Sequence, residues 1–113
     1  MTHVTFLYDG NLVIGYKLKG HARFNVNGPD IVCSALSSTS QMILNGIIDW
    51  TGLSLDDVLK DFNEKAGILE VELEKPFYEN VTIQHLFKTL MLFIEQLEIQ
   101  YDEYITIERR QKE

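Results

Sequence analysis

The sequence predicts an α+β fold, a two-layer sandwich in the order β-β-α-(α)-β-α-β with its helices on one face of the sheet. Three observations lead there. Alternating apolar residues flank Asp9-Gly10 near the N-terminus, two long stretches carry apolar residues at helical spacing, and short alternating runs lie on either side of the second stretch. Residues Thr2 to Tyr8 are β-branched or aromatic in alternation, with Val4, Phe6 and Tyr8 on one face. Leu12 to Lys19 repeats the pattern through Leu12, Ile14, Tyr16 and Leu18, so the two runs form a hairpin around Asp9-Gly10-Asn11. Asp30 then caps a helix that follows Pro29, with Ala35, Leu36, Met42, Ile43, Ile47 and Trp50 in phase until Gly52 stops it.

Between Leu53 and Gly67, Ser54 and Asp57 form a capping-box pattern. Leu55, Val58, Leu59 and Phe62 keep helical spacing, which predicts a short helix ending at Gly67. Ile68 to Leu73 alternates with glutamate as a half-buried strand. Asn80 or Thr82 caps the last helix, whose stripe is Ile83, Leu86, Phe87, Leu90, Phe93, Ile94 and Leu97; Tyr104 to Glu108 makes the closing strand. Met91, Leu92 and Ile99 widen that stripe beyond what one sheet face needs. They serve either a homodimer or the cover of the other helix.

With 113 residues, 45% of them hydrophobic and 24% charged, the chain suits one domain over residues 1–113. Lys+Arg of 10 against Asp+Glu of 17 gives −7, which disfavours direct nucleic-acid binding and suits a basic partner or simple solubility. MTHVTFLYDG does not read as a signal peptide. The longest unbroken apolar run, Leu90 to Ile94, is too short for a bilayer, so a cytoplasmic location without membrane contact is expected. A single cysteine permits neither an internal disulfide nor a CxxC pair. No GxGxxG, Walker loop or HExxH occurs, and neither cofactor nor metal is expected.

The chemistry concentrates in Gly20 to Ser38, GHARFNVNGPDIVCSALSS, which holds His21 and Cys33. A lone cysteine in a small domain is commonly a packing residue. Here, however, a helix capped at Asp30 would put Cys33 in the first turn, where unpaired amides and the helix dipole favour a negative sulfur. Asp30 opposes that effect by its charge while it fixes the turn, and Ser37 shares the face of Cys33 one turn on. His3 and His85 have no thiol or acidic cluster nearby and read as structural.

Gly20-His21-Ala22, followed by Gly28-x-Asp30-Ile31-Val32-Cys33-Ser34-Ala35-Leu36-Ser37, resembles the GHA and GxDIVCxAxS motifs of the ribosomal-processing cysteine protease family called Prp. Position 34 is serine where alanine is frequent. The resemblance implies an α/β sandwich and a compact homodimer. It also implies an endopeptidase that removes the N-terminal extension of protein number twenty-seven of the large ribosomal subunit, after paired aromatic residues. By the same resemblance Cys33 is the nucleophile, His21 its base, and Asp30 and Ser37 are supporting residues. The span Arg23 to Gly28 is a candidate substrate lid, with Asn27-Gly28 as hinge and Arg23 and Phe24 against the peptide. Backbone amides near the helix start, that of Cys33 among them, are expected to hold the oxyanion. An acidic enzyme also suits the basic arm of a ribosomal protein. The competing readings are a non-catalytic ribosome-associated binding module with the same fold, and a thioester hydrolase built on the same dyad.

Overall fold

The structure is a computed structural model that describes residues 1–20 and 28–113, and of 28–30 the backbone only. Strands β1 (Thr2–Asp9) and β2 (Leu12–Lys19) form the expected hairpin, pairing Val4 with Leu18 and Phe6 with Tyr16. Alternation sends Val4, Phe6, Ile14, Tyr16 and Leu18 into the core, while His3, Lys17 and Lys19 take the open face.

Helix α1 runs Gly28–Thr51 and stops at Gly52, whose φ of 74° is left-handed. Asp30 is therefore the third residue inside the helix rather than its cap. The helix starts earlier because Pro29 falls in the first turn, where a missing N–H costs no hydrogen bond. Val32, Leu36, Ile43, Leu44 and Ile47 are its buried face. Met42 and Trp50, expected in that stripe, are exposed; Trp50 instead donates from Nε1 to Asn80 Oδ1 at 3.1 Å. By length and composition Ile31–Thr51 is long and apolar enough to cross a membrane, which a search for unbroken apolar runs misses. In this fold its apolar face joins the core shared with the sheet.

The segment after α1 departs from the expected helix. The Ser54–Asp57 capping box is present, but it opens only one turn, α2 (Leu55–Val58). The chain then becomes β3 (Leu59–Asn63), paired antiparallel with β4 (Ile68–Glu72) through Phe62↔Leu69 and Asn63↔Ile68. Cross-strand pairing, which local spacing does not register, outweighs helix propensity here. The turn is made by Asn63 Oδ1 accepting from the amide of Ala66 at 3.0 Å and by Gly67 at φ 67°. A single turn, α3 (Lys75–Tyr78), leads to α4 (Val81–Gln100), capped as expected by Asn80, which accepts from Thr82 and Ile83. β5 (Ile105–Gln111) closes the sheet parallel to β1 and runs further than expected. The strand order is β3-β4-β2-β1-β5.

Tyr16 joins the layers. Its hydroxyl donates to the carbonyl of Ser40 in α1 at 2.8 Å, and its ring meets Phe87 of α4 edge-on at 6.1 Å. At the far end of the core Tyr78 donates to Asp9 Oδ2 at 2.5 Å. Gln84 brackets β2 by donating to the carbonyl of Val13 and accepting from its amide.

Tyr78 is pushed from the ordinary 10.0 up to about 12, first by its hydrogen bond to Asp9 and then by burial. Burial pushes Tyr16 up as well. Both phenols stay protonated in the native state after the unfolded chain ionises, so their stabilisation is complete below pH 10.0; that of Tyr78 is lost as pH rises through about 12, and that of Tyr16 at higher pH still. The urea midpoint is expected to fall across that window, and Tyr78→Phe to remove part of the slope. A midpoint unchanged through the window contradicts the assignment.

Candidate active site

Cys33 is the sixth residue of α1, half-buried, and lines a cleft of about 510 Å³. One wall is the α1 face that also carries Leu36, Ser37, Ser40 and Gln41. The opposite wall is the β3–β4 hairpin, with Phe62, Asn63, Glu64 and Gly67 to Leu69. Leu18, Gly20 and Thr2 form the end. Ser37, one turn past Cys33, accepts from Gln41 Nε2 at 3.1 Å through its Oγ, and its carbonyl accepts from Ser40 Oγ at 3.1 Å. Ser40 is fully buried, and its carbonyl is the acceptor of Tyr16. The serine-rich run that weakens helix propensity thus fixes the depth and rotation of the helix that presents Cys33.

Cys33 lies in the second turn, not the first as expected. The amides that a helix start leaves without intrahelical partners are therefore those around residues 28–30, a turn before the thiol, and the amide of Cys33 is not among them. His21, Arg23, Phe24 and Asn27 lie outside the described residues, as does the side chain of Asp30, while Gly28 is described by its backbone as the first residue of α1. What is described is Gly20, the residue before His21 in sequence. Gly20 directly follows β2 on the cleft, at φ 124°, and its amide donates to the carbonyl of Gly67 at 3.0 Å. A Cβ built there would stand 2.4 Å from the carbonyl oxygen of Met1, so only glycine fits both the torsion and the space.

Sequence reasoning brings Cys33 and Ser37 to the site and expects the β4 strand, but it misses β3 and the pairing that makes the two a hairpin wall. The signal available for that wall was the Asn63 to Gly67 turn pattern, which the capping box at Ser54 overrode.

Family comparison matches residues 1–106 to the family described as cysteine protease Prp. The chain belongs to that family. It is accordingly a cysteine protease. No curated protein gives a significant match by sequence. Among solved structures, SMU.848 from Streptococcus mutans is 24% identical, with TM-score 0.81 over 99% of this chain and 96% of that one. The ribosomal processing protease Prp from S. aureus, solved with a substrate peptide, is 21% identical with TM-score 0.79 over 96% and 99%. The same S. aureus protein with a covalently linked product peptide gives 23% and 0.76. At these identities the structures establish the Prp fold, an α+β sandwich.

Two outcomes test the site's construction. Because Cys33 lines an open cleft, iodoacetamide should add one carbamidomethyl group to the folded chain, read by mass spectrometry; a thiol that reacts only after unfolding would place it in the core instead. Gly20→Ala should destabilise by about 2–4 kcal/mol in urea titrations. A loss within the scatter of surface substitutions would show that the β2 end is not held as described.

Proposed function

We propose that this protein is an endopeptidase of ribosome maturation, with Cys33 as nucleophile and His21 as its base. The observation that carries the reading is that a chain of the cysteine protease Prp family has one cysteine, and that this cysteine lines a cleft of about 510 Å³ between α1 and the β3–β4 hairpin. In the reaction Cys33 Sγ attacks the scissile carbonyl carbon and the C–N bond breaks. His21 gives the proton it took from the thiol to the departing amine. Water, its proton passing to His21, then hydrolyses the thioester and restores the thiol. The S. aureus Prp structure with a covalently linked product peptide supports such a route.

The substrate we assign is protein number twenty-seven of the large ribosomal subunit, cut after the paired aromatic residues that end its N-terminal extension. Support comes from the family resemblance around residues 20 to 37, from the S. aureus relative described as a ribosomal processing protease, and from the −7 charge facing a basic arm. Asp30 and Ser37 take positioning roles, and Arg23 to Gly28 covers the bound peptide. A cytoplasmic homodimer completes the reading. Leu92 at 52% and Ile99 at 82% exposure on α4 leave apolar surface for a second copy.

Wild-type chain incubated with a peptide spanning the cleavage point should release two fragments, read by mass spectrometry. Cys33→Ala and His21→Ala should each lower the rate by about 10³-fold or more. Binding without fragments in the wild type, or equal cleavage by Cys33→Ala, would instead favour the non-catalytic binding module.

A further inference from the structure

The hairpin wall has a composition suited to selecting substrates. Phe62 of β3 pairs with Leu69 of β4, Leu69 with Leu18 of β2, and Leu18 with Val4 of β1, so four apolar side chains form one cross-strand row on the helix-facing side. Along that row the cover thins steadily. Val4 is 1% exposed, Leu18 is 7%, Leu69 is half-buried, and Phe62 at the sheet edge is 58% exposed. The helices close over the middle of the sheet, while β3 overhangs them. The inner end of the row belongs to the core and the outer end to the cleft that holds Cys33. Two residues past Phe62, at the start of the hairpin turn, Glu64 is the single charged residue lining that cleft among the described residues.

We propose that the β3–β4 hairpin is the specificity element of this protease. In it Phe62 seats an apolar side chain of the peptide and Glu64 selects a cationic one beside it. The occupant is the substrate itself, because the uncovered end of the row and the thiol share one cleft; the inference rests on the reading of Cys33 as the cleavage site. An aromatic substrate side chain on Phe62 continues the apolar row outward and removes its exposed surface from water. A lysine or arginine next to it meets the Glu64 carboxylate, while an acidic residue in that place meets a like charge. The two contacts together favour peptides in which aromatic and basic residues are neighbours, and reject acidic ones without any change at the thiol.

The test uses the full chain carrying Cys33→Ala, so that binding is read without turnover. The probe is a fluorescein-labelled peptide with two adjacent phenylalanines next to one lysine. Two companions replace the phenylalanines by alanine or the lysine by glutamate. Anisotropy titrations at low salt should show the parent bound about tenfold or more tighter than either companion. Phe62→Ala should collapse the first ratio to near one. Glu64→Gln should collapse the second and Glu64→Lys invert it, with the charge effect fading at high salt. Both side chains are exposed, so the variants should keep the parent chain's urea midpoint.

Ratios that do not move in folded variants, or a parent peptide that does not bind, overturn the proposal. Cleavage of the same peptide by the wild-type chain is scored separately. Cleavage with unmoved ratios sinks the hairpin assignment and leaves the protease reading standing. Moved ratios without cleavage do the reverse.

Discussion

The hydroxyl of Tyr16 is the contact on which the arrangement of the molecule depends. A phenol buried in the centre of a sheet face needs an acceptor, since an unpaired polar group there costs as much as several good apolar contacts contribute. Tyr16 finds it in the carbonyl of Ser40, a group whose place in α1 lies between the residues that face the cleft and those that face the core. The same ring rests against Phe87, so one side chain locates both long helices relative to β2. The apolar face of α1 holds the helix against the sheet, and this hydrogen bond adds a directional contact that fixes where along α1 the sheet is met, and so where Cys33 stands.

The polar seam along α1 extends the constraint. Thr39 donates to the carbonyl of Ala35 at 2.7 Å, and Ser40 to that of Ser37, so hydroxyls that compete with a helix in isolation are bound to the helix itself. The small residues lower intrinsic propensity, and in return the helix takes an orientation in which Cys33 and Ser37 line the cleft together. Stability and placement of the thiol thus derive from the same side chains.

Local patterns made much of this legible in advance. The β1–β2 hairpin is written in the alternation around Asp9-Gly10, the start of α4 in Asn80, and the stop of α1 in Gly52, because each is decided by residues adjacent in sequence. β4 was legible in its alternation, but β3 and its pairing with β4 were not, for the converse reason. Leu59 and Phe62 lie three apart, a spacing that fits a helix, and the pairing of Phe62 with Leu69 that makes them a strand exists only once the chain has turned back on itself. The site divides along the same line. A motif marks Cys33, whereas Phe62 and Glu64 are ordinary residues whose meaning comes from standing opposite it.

The hydrogen bond from Gly20 to Gly67 carries a consequence for how such an enzyme changes over time. It fastens the end of β2, from which the segment holding His21 departs, to the base of the hairpin turn. The hairpin wall of the cleft and the end of the strand that leads into residues 21–27 are therefore one mechanical piece. Side chains on the hairpin can be exchanged freely, altering which peptides are accepted, but its backbone cannot be lengthened or re-turned near Gly67 without disturbing the approach to the thiol. Lineages of this fold would then be expected to diversify their diet by substitution in the hairpin and to admit insertions elsewhere.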